Sequence, residues 1–159
     1  MNDIRILTLT QPWATLIALG AKKIETRSWK TNYRGLVAIH AGKGFTQRER
    51  EAISWGPTSS ALAECSITRC GVLPLGQIVA IARLHSCLPT SETLVVPDKD
   101  TREFQLGDYS PGRYMWLFKD LVTLPTPIPY KGSQGLGRVH QPVLDDLIDL
   151  YSKLGGHGA

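Results

Sequence analysis

The residues best equipped for chemistry crowd into one short stretch, Gly20-Ala21-Lys22-Lys23-Ile24-Glu25-Thr26-Arg27-Ser28-Trp29. In an extended segment side chains alternate between faces, so Lys23, Glu25 and Arg27 share one side and Ile24 and Thr26 the other. Lys22 falls in the preceding turn and can bend either way. A carboxylate flanked by cations can serve a ligand twice over: the cations grip a phosphate and the carboxylate positions a water. The structural alternative is an ion pair, Glu25 with Arg27 or Lys22, that fastens the strand to a neighbour.

Other candidates are scattered. Trp13 can stack on a base or pack in the core, and Trp29, before a polar turn, is the better stacking platform. His40 ends an apolar strand, as a base or as a satisfied core histidine. Lys43, in Gly42-Lys43-Gly44, suits a phosphate contact. Lys131 lies among prolines and glycines that can rigidify it or leave it a solvated loop lysine. Arg113 and Tyr114 follow the Pro111-Gly112 turn, where a backbone reason competes with a functional one. There is no Walker A loop, no G-x-G-x-x-G, no H-E-x-x-H and no G-x-S-x-G. Cys65, Cys70 and Cys87 are odd in number and lack C-x-x-C spacing, which favours free thiols in a reducing cytoplasm over a disulfide frame. Zinc would need a fourth ligand, and His85 is the sole histidine near them in sequence, so no metal is expected.

Positioning these groups requires a mixed scaffold. Ile4 to Leu9 reads as a strand, and Thr10-Gln11-Pro12 opens a helix from Trp13 to Leu19, with Thr10 or Gln11 as its cap and Gly20 as its stop. Lys23 to Ser28 is extended, and Leu36 to His40 is a buried strand. Thr46-Gln47-Arg48-Glu49 is a capping box that starts a helix reaching Ser54, and Trp55-Gly56-Pro57 ends it. Residues 57–75 read as a surface excursion with a short helix around Ala61 to Glu64. Gln77 to Leu84 is the strongest strand. Residues 88–112 form a long polar stretch. Tyr114 to Phe118 and Asp120 to Leu124 resume strand character, and Pro125, Pro127 and Pro129 punctuate a loop running into Gly135-Leu136-Gly137. Pro142 to Lys153 is a helix presenting Leu144, Leu147, Ile148, Tyr151 and Leu154 on one face. The elements predict an α+β domain, a small barrel with helices at its rim, spanning residues 1–159.

The 159 residues carry 18 Lys and Arg against 14 Asp and Glu, and 42% are hydrophobic, which excludes a disordered or collagen-like chain. No apolar run reaches the roughly 18–20 residues of a membrane span. The start lacks the basic region of a signal peptide. Charge is uneven: residues 1–50 hold nine basic against three acidic side chains, and residues 51–110 hold four against seven. A local excess of one sign suits an anionic partner, or is balanced by acids from elsewhere in the fold.

Gln11-Pro12-Trp13-Ala14 followed by G-x-K-x-x-E-x-R (Gly20, Lys22, Glu25, Arg27) resembles the ASCH domain family of the PUA-like superfamily. The similarity continues through Tyr33-Arg34-Gly35 and Ile39-His40-Ala41, resumes at Pro74 to Val79 and at Gly107 to Tyr114, and closes at Pro127 to Gly132 and Gln134-Gly135-Leu136. The resemblance implies a PUA-type β-barrel with a cleft lined by the Lys–Glu–Arg motif and a role on RNA or a modified nucleoside, without a cofactor. One small bacterial branch of the family hydrolyses the amide of N4-acetylcytidine with a Lys, a Thr and a Glu, and another member is a ribonuclease. Lys22 matches that lysine, Glu25 stands in the threonine slot, and the place of the strand glutamate falls near Ala80, where no carboxylate exists. The expectation is a cytoplasmic domain that binds RNA, single-stranded nucleic acid or a modified nucleoside, with Lys22 and Glu25 catalytic if it is an enzyme. Trp13, Arg27, Trp29, His40, Lys43, Arg113, Tyr114 and Lys131 are expected to contact the ligand. A hydrolase of the same fold and a coactivator-type protein-interaction module are the alternatives.

Overall fold

The computed structural model describes residues 3–65 and 73–156. Cys70 lies outside the described residues. The strands are β1 (Arg5–Leu9), β2 (Ile24–Arg27), β3 (Gly35–Ala41), β4 (Gln77–Pro89), β5 (Tyr114–Pro129) and β6 (Leu136–Arg138). The helices are α1 (Trp13–Ala18), α2 (Gln47–Ser54), α3 (Gly56–Glu64), α4 (Arg102–Gln105) and α5 (Val143–Lys153). The strands form one sheet in the order β2-β5-β4-β3-β1-β6. Only β1 and β3 run parallel within it. The sheet curls into a half-barrel with the helices at its rim, the α+β architecture expected.

Both faces of the sheet are covered, which is why β4 reads as a continuous apolar run. One face packs Val79, Ala80, Ala82 and Leu84 against Ala14, Ile17 and Ala18 of α1. The other packs Ile78, Ile81 and Val122 against Leu147 and Tyr151 of α5. Ile78 and Ile81 share a face despite their odd spacing because the β4–β5 register shifts between Ile78 and Ala80. A smaller cluster, Leu16 with Ala61, Leu62, Leu73 and Leu106, joins α1, α3 and the segment after α4.

Four boundaries correct the sequence reading. Of the expected surface excursion 57–75, residues 66–72 lie outside the described residues, and its first part is a helix instead: α3 starts at Gly56, immediately after α2, and buries Thr58, Ala61 and Leu62. The polar stretch 88–112 contains the end of β4 and the whole of α4. β5 runs through Pro125, Pro127 and Pro129 rather than stopping at Leu124. That is possible because β2 pairs with β5 only over Tyr114 to Leu117, so beyond it β5 has an open edge where a proline forfeits no ladder bond. Leu136 to Arg138 adds a short edge strand against β1. On α5, Leu147 and Tyr151 are buried, whereas Leu154 is exposed beyond the helix end.

Other expectations match closely. Gly20 takes a φ of 74° after α1, the left-handed conformation that glycine adopts most cheaply. The α1 cap is shared: Pro12 holds the cap position, and the Gln11 side chain accepts from the Thr15 N–H at 3.1 Å. At α2 the capping box forms, with Glu49 Oε2 accepting from the Thr46 N–H at 2.6 Å.

Candidate functional site

A cleft of about 620 Å³ opens between β2, α1, the α2–α3 joint and residues 105–113. Its floor is Lys22, Glu25 and Arg27. Lys22 leaves the turn after α1 with its N–H bonded to the Leu16 carbonyl, and its side chain is 2% exposed. Its amine donates to the Ile24 carbonyl and lies 4.0 Å from Glu25 Oε2. Burial holds the amine below the ordinary lysine range, against the opposing pull of Glu25 and Glu103. Arg27 Nε stands 3.3 Å from Glu25 Oε1 without hydrogen-bond alignment. Its Nη2 donates to the Thr8 carbonyl at 2.8 Å.

The trio is held by an adjoining wall. Glu103, on α4, accepts from the Lys23 and Ile24 N–H groups, both at 2.9 Å, which satisfies the exposed start of edge strand β2. The Asp108 N–H donates to Thr26 Oγ1 at 3.3 Å, and Arg113 Nη2 donates to the Thr26 carbonyl at 2.9 Å. Arg113 Nε sits 3.4 Å from Asp108 Oδ2. Tyr109 stacks on Phe104 with centroids 5.1 Å apart and planes at 12°, closing the back of this wall. Lys23 parts company with the trio: it precedes the strand and faces a separate hollow beside Phe118 and Lys119.

Of the expected ligand residues, the cleft gathers Trp13, Arg27, Trp29 and Arg113 around Lys22 and Glu25. Trp13 and Trp29 both line the cleft and back onto the main core, so each packs on one side and leaves part of its ring facing the cleft. Trp29 meets the buried Trp116 edge-on at 4.6 Å, and its carbonyl accepts from Trp116 Nε1 at 3.3 Å. Tyr114 starts β5, pairs with Arg27 and packs on the core without lining the cleft.

His40, Lys43 and Lys131 line a different hollow of about 890 Å³, walled also by Thr8, Gly76, Tyr130 and Gly132. His40 is fully engaged: Nε2 lies 2.8 Å from the Tyr130 carbonyl and Nδ1 3.2 Å from Thr8 Oγ1. A carbonyl accepts only, so Nε2 carries the proton and Nδ1 accepts from the threonine hydroxyl. Burial holds the imidazole below its usual range. Gly132 lies so close that a Cβ there would stand 2.9 Å from both His40 Cε1 and Thr8 Oγ1.

Among the cleft-lining residues that the sequence reading did not assign to the site are Arg48 and Trp55. Both sit on a helix pair recognised only as a capping box and a stop signal. Their one sequence cue was the run of three basic residues, Lys43, Arg48 and Arg50, around that box.

Comparison with known proteins bears on the family and the fold. The sequence model of the ASCH domain matches residues 7–106. Mouse activating signal cointegrator 1 is 25% identical over 140 residues, 85% of this chain and 23% of that protein, so the chain spans about a quarter of its length. The crystal structure of ASCH from Zymomonas mobilis superposes with a TM-score of 0.58 at 16% identity, covering 94% of this chain and 96% of that one. A single-residue variant of the Zymomonas protein gives 0.53 at 14% identity over 92% and 97%. At such identities these structures speak for the fold.

Proposed function

The chain belongs to the ASCH domain family, and we propose that its cleft binds a nucleobase, either within RNA or as a modified nucleoside. The observation that carries this reading is the Lys22–Glu25 pair on the cleft floor, a buried donor 4.0 Å from a carboxylate acceptor, with Trp13 and Trp29 beside it. Donor and acceptor side by side match the edge of a base, where a carbonyl and an exocyclic amine alternate. An aromatic wall supplies the face to stack on. Glu25 accepts from the amine, Lys22 donates to the carbonyl, and Arg27 with Arg113 holds the two in register.

A hydrolase reading has its own support in Lys22, a desolvated amine beside a carboxylate in a cleft. Glu25 would orient the attacking water, and Lys22 would stabilise negative charge developing on a carbonyl oxygen. Against the N4-acetylcytidine route stands β4 itself, where the place that the resemblance implies for that branch's glutamate falls near Ala80, which is fully buried.

The test is calorimetric titration with N4-acetylcytidine, cytidine and a single-stranded RNA octamer, paired with chromatographic assay of acetylcytidine and RNA hydrolysis. Parent protein binds at least one of them, and Lys22→Ala and Glu25→Gln lose affinity. If turnover is found, Glu25→Gln lowers kcat by roughly 10²-fold, beyond what its loss of affinity accounts for. Binding unaffected by both substitutions overturns the assignment of this cleft.

A further inference from the structure

Positive charge on the cleft floor is largely committed. Arg27 stands against Glu25 and the Thr8 carbonyl, Arg113 against Asp108 and the Thr26 carbonyl, and Lys22 against Glu25 and the Ile24 carbonyl. Groups so neutralised read a heterocycle well and a phosphate poorly. The outer wall is different. Arg48 is exposed, and among the described residues no carboxylate lies within ion-pair distance of it. Trp55, seven residues on and lining the same cleft, is 47% exposed, in contrast to the fully buried Trp116.

We propose that Arg48 and Trp55 form a site for a second nucleotide. Arg48 holds the linking phosphate and Trp55 stacks on the neighbouring base, so the cleft takes a single strand of at least two nucleotides rather than a free nucleoside. This rests on the nucleobase reading of the floor. Trp55 is built as a fixed platform. It is the single extended residue between two helices, ending α2 and starting α3 with φ −65° and ψ 134°. Its N–H donates to the Glu51 carbonyl at 3.0 Å, and its carbonyl accepts from the Ser59 N–H at 2.8 Å. The joint is anchored from behind by Ala61 and Leu62 of α3 against Leu16 of α1. An exposed indole on a rigid backbone orders little on binding and so loses little affinity to entropy. Stacking tolerates any base, and an arginine with no carboxylate at ion-pair distance supplies charge that the floor has neutralised.

The experiment titrates parent protein with the four ribonucleoside 5′-monophosphates and with mixed-sequence single-stranded ribo- and deoxyribonucleotides of two and four residues, at several salt concentrations. The dinucleotides bind roughly 5- to 100-fold tighter than the monophosphates. Trp55→Ala removes most of that gain and Trp55→Phe restores part of it. Arg48→Gln shallows the slope of log affinity against log salt by about 0.7. Both side chains are exposed, and unchanged melting temperatures confirm that each variant folds. Monophosphates that bind with no gain on lengthening overturn the second site and leave the nucleobase reading standing. A gain that survives both Trp55→Ala and Arg48→Gln overturns it as well, and no binding by any probe overturns both readings.

Discussion

Arg27 donates through Nη2 to the carbonyl oxygen of Thr8 at 2.8 Å, tying edge strand β2 to β1 across the mouth of the curled sheet. The two strands are separated in the sheet by β5, β4 and β3, so a side chain bridges what no backbone ladder joins. Thr8 lines the second hollow and reaches the cleft only through Arg27. Its carbonyl meets the cleft through Arg27, and its hydroxyl meets His40 and the Ser133 N–H in the second hollow.

That bridge predicts a stability cost. Arg27→Ala removes a charge-assisted hydrogen bond and costs about 1–3 kcal/mol in urea melts. Arg27→Lys recovers little of it, because a single ammonium cannot face Glu25 and reach Thr8 in the same fork geometry. A melt of Arg27→Ala identical to the parent would show that the half-barrel holds its curl without the tie.

Lys22 should cost the fold something while serving the site. Lys22→Met keeps the volume, and Glu25 retains Arg27 at 3.3 Å, so stability at neutral pH stays level or rises by about 1 kcal/mol. Burial depresses the folded-state pKa below the usual 10.5 of a lysine. The unfolded chain therefore binds the extra proton between the folded value and 10.5, and the Lys22 contribution to stability rises with pH through that window. Urea melts from pH 7 to 10.5 on parent and Lys22→Met isolate it, since the parent gains stability relative to the variant as pH rises. A parent that loses ground to the variant over that range would contradict a buried, desolvated amine.

Glu103 pins the start of β2. Glu103→Ala leaves the Lys23 and Ile24 amides without their acceptor and costs about 1–2 kcal/mol. Amide exchange at these two positions accelerates more than at the central strand β4, and affinity at the Lys22–Glu25 floor falls with it. Unchanged exchange at both amides would place the anchor of β2 elsewhere.

His40 predicts acid sensitivity. Its folded pKa lies below the usual 6.5, so its contribution is fully present above about pH 6.5 and lost as pH falls through the folded value. His85 shifts in the same direction. His40→Gln flattens the decline in melting temperature between pH 7 and 5, and a slope equal to the parent's would assign the decline to other groups.

Burial of β4 on both faces predicts that Ile81→Asp costs several kcal/mol, since it sets a charge in a fully buried position. Lys153→Ala, on the exposed side of α5, stays within about 0.5 kcal/mol. Thermal melts of the pair check this.

The local elements, and the grouping of Lys22, Glu25 and Arg27, are legible in the amino-acid order alone. Hydrophobic periodicity marks α5, an apolar run marks β4, and the Gly20 stop and Thr46–Glu49 box are local signals that depend on few distant contacts. Lys22, Glu25 and Arg27 fall together because a turn and a short strand suffice to place them. Tertiary structure decided the rest. Prolines 125, 127 and 129 are tolerated in β5 because β2 is too short to need their missing donors, which is a fact about a partner strand. His40, Lys43 and Lys131 part from the cleft because β3 and the loop after β5 meet on the other side of Thr8. Arg48 and Trp55 reach the cleft through the packing of α3 on α1, a contact between residues 46 positions apart, Leu16 and Leu62, that no local pattern encodes.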